Sequence, residues 1–203
     1  MVLRRSYVTR GLHFALLLIV LHQLFTSLVM ERPLPGDDPE WPFVSHQWLG
    51  AAGFAVAFLF WAWTLIRDPR EPRPGALLPW LSRGRLTAVV NDAFDILRAV
   101  VSRRPPRGDH QALASAVHGL GLLTASFLAV SGTVWWLVFE GTTRGRPVLA
   151  AHAFAGNLMW GYVLAHAGMA ALRQVLGDDI FARMFWSTAR VAPSARRRVA
   201  HAR

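Results

Sequence analysis

Two histidines, His152 and His166, stand in a stretch from Pro147 to Leu172 that has no Asp, Glu, Lys or Arg. The stretch is 26 residues long, and ~20 apolar residues are enough to cross a bilayer core. The histidines are fourteen positions apart. At ~100° and ~1.5 Å per residue, fourteen steps return to within ~40° of the starting face and climb ~21 Å. One helix therefore points two imidazoles the same way at two depths. A polar ring in hydrocarbon needs a partner, so intramembrane histidines usually mark function. Two stacked imidazoles suit a pair of metal centres, each completed by a ligand from another helix.

Composition narrows the elements that can supply those ligands. The chain has 203 residues, 53% of them hydrophobic, and a mean hydropathy of +0.30. It has no cysteine, which excludes disulfides, iron–sulfur clusters, thiolate zinc sites and covalent c-type haem. All 22 basic side chains are Arg, and the net charge is +10. These arginines sit between long uncharged segments rather than on one helix face, so they orient a membrane protein and do not mark a nucleic-acid site.

Four uncharged runs predict an all-α, transmembrane four-helix bundle in one membrane domain covering 1–203. The spans fall at about 11–30, 43–66, 111–139 and 147–172. The first follows Arg4, Arg5 and Arg10 but lacks a small-x-small cleavage site, and it reads as a retained helix. The loop 31–45 is acidic and Pro-rich, with Trp41 at interface level. The loop 67–110 carries apolar residues at 86, 89, 90, 93, 94, 97, 100 and 101, a helical spacing. That segment is either an amphipathic interfacial helix or a helix docked on the end of the bundle. Small residues in span three (Gly119, Gly121, Ser126, Ser131, Gly132) allow close helix approach. The tail 173–203 ends in RRRVAHAR, and its last ten or so residues are expected to be disordered.

Nineteen arginines lie in the N-terminus, the long loop and the tail, whereas only Arg32, Arg144 and Arg146 lie on the other side. The positive-inside rule then places both termini and the loop 67–110 in the cytoplasm of a bacterial inner membrane. Depths follow. His13 on span one faces His166, near the cytoplasm, and His46 on span two faces His152, near the outside. Bundles build cofactor sites from facing helices in this way. Two imidazoles at one level suit bis-imidazole haem b, giving two haems. Zinc wants a third or fourth ligand that no level is expected to offer. Gly50 and Gly156 each lie four residues after a ligand and would let a macrocycle approach the backbone.

The other histidines divide. His22 is nine residues from His13, on the opposite face, and reads as structural, lipid-side or between helices. His118 shares the cytoplasmic depth; it could bond a haem propionate, line a quinone pocket, displace a ligand or be structural. His110 and His201 read as solvent-exposed.

The stretches RGLHFALL, SHQWLGAAG, AVHGLGLLTA and AHAFAGNLMWGYVLAHAGMAAL resemble the four spans of the bacterial cytochrome b561 and nickel–iron hydrogenase b-subunit superfamily. The resemblance implies a di-haem membrane cytochrome with ligands from helices one, two and four, which again pairs His13 with His166 and His46 with His152. Span one reads LHF where the family often has LHW, and the loop 67–110 is longer than in compact members, as in subunits that serve a larger complex. The implied function is electron transfer between an extracytoplasmic redox partner and the membrane quinone pool, as a subunit rather than a self-sufficient enzyme. An alternative is a stand-alone superoxide:quinone oxidoreductase, which would need cations such as Arg144 and Arg146 beside the outer haem. A non-redox reading, a haem-free scaffold or small transporter, would give a colourless protein.

Overall fold

A computed structural model describes residues 6–33, 37–69, 71–102 and 110–175. The expectations for the tail beyond Val175, for His201 and for Arg4 and Arg5 fall outside these residues. The described chain is all-helical, and four of its helices are long and apolar enough to cross a membrane.

Helix α1 (Tyr7–Thr26) begins and ends four residues earlier than the hydropathy boundaries suggest. Ser6 is the reason at its start: its hydroxyl accepts from the Thr9 N–H at 3.2 Å, the N-cap arrangement that satisfies a helix-end donor. Helix α2 (Trp41–Ile66) opens with Pro42 in its first turn, where the missing N–H costs nothing. The segment that follows holds short α3 (Pro74–Leu77), a 3₁₀ turn (Pro79–Leu81) and α4 (Arg83–Val101). Helix α5 (Gln111–Val134) runs on as a π turn through Phe139, and α6 (Arg146–Val175) follows a tight connection.

Helix α5 is the centre of the packing. It lies against α2 and α6, α1 packs on α2, and α3 and α4 cover the start of α5. Its small residues make this possible. A β-carbon at Gly119 would overlap the Leu77 carbonyl, and one at Gly121 would overlap the Tyr162 ring. Ser126 accepts the Trp61 indole N–H at 3.0 Å. By contrast, α6 packs along α5 and does not pack closely on α1 or α2. Large apolar side chains, among them Leu18, Phe58, Phe154 and Leu164, point outward. In water such a surface would aggregate, whereas in lipid it is solvated.

Helix α4 docks on the bundle through one face and leaves an apolar stripe exposed on another. Val89, Asp92, Ile96 and Ala99 turn toward the bundle, and the Asp92 carboxylate accepts the Leu113 N–H at 3.0 Å. Asp92 thus caps the first turn of α5, where a negative charge also meets the helix dipole. Leu86, Val90, Phe94, Leu97 and Val101 form an exposed apolar stripe on the other side.

His110 departs from the sequence expectation. It is only 4% exposed, and its backbone is left-handed (φ 46°) at the start of α5. A second feature ties loop to helix. Glu71, also buried, accepts the Ser6 N–H at 3.0 Å and the Thr9 hydroxyl at 2.6 Å, while Thr9 accepts the Trp63 indole N–H at 2.9 Å. Thr9 lies one turn before His13, so this clamp sets the start of the helix that carries the histidine.

Candidate functional site: two levels of histidines

One level, termed outer after the side on which the arginine distribution is expected to place it, joins α2 and α6. The His46 and His152 ring centroids are 6.2 Å apart. Two imidazoles on opposite sides of one metal, with bonds of ~2.0 Å, would have ring centres about 6 Å apart. Each ring is held by the same device. His46 Nδ1 lies 3.0 Å from the Thr26 hydroxyl, which donates to the His22 carbonyl at 2.8 Å. His152 Nδ1 lies 3.0 Å from the Ser131 hydroxyl, which donates to the Phe127 carbonyl at 2.7 Å. Because each hydroxyl proton goes to a carbonyl, its oxygen accepts from Nδ1–H. Nε2 then carries the lone pair, the tautomer a metal ligand requires. The Gln23 amide adds a bond to the His46 carbonyl at 2.9 Å.

Glycine serves this level at a position the ligand spacing does not single out. Gly132 on α5 faces the His152 ring so closely that a β-carbon there would lie 2.9 Å from Cε1. Of the two glycines singled out from the sequence, Gly156 opens onto space: no heavy atom comes within 4 Å of the point where a β-carbon would stand. Gly50 faces the Gln23 side chain. Gly156 therefore lies on the α6 surface that stands away from α1 and α2.

The inner level joins three helices. His13 and His166 have ring centroids 6.4 Å apart. His118 of α5 enters the same cluster, 6.4 Å from His13 and 5.2 Å from His166. One ring nitrogen from each of the three lies within 4.8 Å of the others. His118, which the sequence placed at this depth with its role left open, is turned into the cluster by the rotation of α5 about its axis, so this level offers three imidazoles where the sequence reading expected too few ligands for zinc. The His118 Nδ1–H donates to the Ala114 carbonyl at 2.6 Å. The sequence reading misses Tyr162. It stacks on His166 at 5.4 Å and 9°, one turn earlier on the same helix, and the i, i+4 spacing was the available signal.

His22 stands edge-on to Trp41 at 6.3 Å, away from the His13 cluster. Beyond the outer level, Arg144 and Arg146 are exposed and the Glu140 carboxylate accepts from the Gln47 amide at 2.9 Å.

The donor chemistry fits haem. The clustered groups are imidazoles with no carboxylate in the cluster among the described residues, they face one another in pairs on two levels, and Gly156 of α6 has no heavy atom within 4 Å of where a β-carbon would stand. An apolar helical bundle with facing histidines is the design of a membrane b-type cytochrome. The chain belongs to the prokaryotic cytochrome b561 family, whose model matches residues 4–187. It is accordingly a haem-binding, multi-pass membrane protein of electron transport, with b-type haem as the family's cofactor. No curated protein and no solved structure matches the chain significantly.

Proposed function

We propose that this chain is a di-haem cytochrome of the bacterial inner membrane that carries electrons between an extracytoplasmic redox partner and the membrane quinone pool. The observation that carries the reading is the presence of two facing imidazole pairs, His46/His152 at 6.2 Å and His13/His166 at 6.4 Å, stacked along α6. These four histidines would be the axial ligands of two b haems, with Gly50 and Gly156 beside the outer one. Bound there, haem would supply one-electron chemistry.

The chain's own residues do the rest. Thr26 and Ser131 fix the tautomers of the outer pair. Tyr162 holds the plane of His166. The surrounding apolar helices exclude water and set the dielectric that tunes potential. His118 is a candidate quinone or propionate contact on the cytoplasmic side. The topology, with both termini and the loop 67–110 cytoplasmic, follows from the arginine distribution. The acidic segment 37–40 and Glu140 on the outer side disfavour attraction of superoxide, which supports a protein partner over the stand-alone oxidoreductase.

A dithionite-reduced minus oxidised spectrum of the purified protein, with haem counted per chain, tests the cofactor. Two b haems per chain are expected; none would overturn the reading. Reduction of both by a quinol in membranes, without added superoxide, tests the electron path.

A further inference from the structure

We infer that His118 is a second axial ligand for the inner site, able to replace His166 opposite His13. The inference rests on the di-haem reading and goes beyond it, since that reading needs only one imidazole pair per level.

Three observations carry it. First, the spacing is equivalent: the His13 and His118 ring centroids are 6.4 Å apart, the same separation as His13 and His166. The remaining combination, His118 with His166, is 5.2 Å and falls short of the about 6 Å that two imidazoles on opposite sides of one metal, with bonds of ~2.0 Å, would span. His13 is therefore common to both usable pairs, and His118 and His166 are the alternatives on the opposite side. Second, the tautomer is set. His118 Nδ1–H is committed to the Ala114 carbonyl at 2.6 Å, which leaves Nε2 as the basic nitrogen. A bond from the second ring nitrogen to a backbone carbonyl is the usual support of a ligating histidine. Third, the two alternatives are keyed together. Tyr162 stacks on His166 and packs against Gly121 of α5, three residues beyond His118. Tyr162 thus links the helix faces that carry His166 and His118, and a group held by His13 would turn from the one ring toward the other to be met by His118.

The test counts haem and reads its spin state in purified full-length protein. The wild type is expected to hold two haems per chain. H166A is expected to keep two, both low-spin with bis-imidazole electron paramagnetic resonance, because His118 takes the vacated position. H118A/H166A is expected to drop to one haem, and added imidazole is expected to restore the second. The haem at His46/His152 reports that each variant has folded, and H166N is measured beside H166A to keep more of the side-chain volume. One haem in both H166A and H166N, with the outer haem intact, overturns the inference and leaves the di-haem reading standing. Two haems in H118A/H166A overturn it as well, because the inner ligand would then lie elsewhere. A wild-type protein with no haem sinks the di-haem reading itself.

Discussion

The Ser131 hydroxyl lies 3.0 Å from His152 Nδ1 and passes its own proton to the Phe127 carbonyl at 2.7 Å. Thr26 does the same for His46 across the site, at 3.0 and 2.8 Å. Two hydroxyls from different helices, α1 and α5, thus make one and the same arrangement. A hydroxyl acceptor at Nδ1 raises ligand basicity and so favours the oxidised metal. S131A is expected to raise the midpoint potential of the outer haem by some tens of millivolts and to weaken haem retention ~10-fold. Redox titration of the purified variant decides it, and an unmoved potential would sink this role for Ser131.

Gly132 lies directly against the His152 ring. A β-carbon at 132 would sit 2.9 Å from the imidazole Cε1, so the His152 ring must shift to admit one. On the di-haem proposal, G132A is expected to lose the haem at His46/His152 selectively and keep the other. Pyridine haemochrome analysis should read one haem per chain instead of two, and two retained would show that His152 can move aside.

The Glu71 clamp predicts a pH dependence. Burial pushes this carboxyl up, but hydrogen bonds from the Thr9 and Ser6 hydroxyls and the Ser6 N–H, with the Arg67 charge, outweigh it and hold the group below its usual 4.5. A depressed acid contributes stability above its unfolded value, and that contribution fades as pH falls through the lowered folded value. Removing the carboxylate leaves buried donors on α1 poorly matched, a loss of about 1–3 kcal/mol. The melting temperature of E71Q should lie below wild type at pH 7, with the gap closing below pH 4.5. A gap that is constant across this range would assign the effect to packing alone.

The α4 stripe predicts where that helix lies. Phe94 and Leu97 should sit in the lipid interface, while Asp95 and Arg98, which pair at 3.6 Å, should face water. The chain has no cysteine, so F94C and D95C can be spin-labelled singly. In vesicles the label at 94 should be more accessible to oxygen than to a water-soluble nickel reagent, and the label at 95 the reverse. Equal access to the water-soluble reagent at both would place the helix off the membrane.

Much of the outer and inner levels is legible in the sequence. A charge-free run long enough to span, the fourteen-residue interval from His152 to His166 and the arginine distribution are one-dimensional properties, and they fix depth because helical rise is constant. The small residues of α5 are legible for the same reason, since close packing in a bilayer has few chemical solutions. Rotation about a helix axis and contacts between distant segments are not one-dimensional. They brought His118 to His13 and His166, put Gly132 against His152, tied Glu71 to Thr9 across 62 residues and buried His110. Sequence by itself determined which residues share a level in the membrane. Only the tertiary structure decided which of them meet, because helix rotation is set by side-chain packing between helices and not by any interval along one of them.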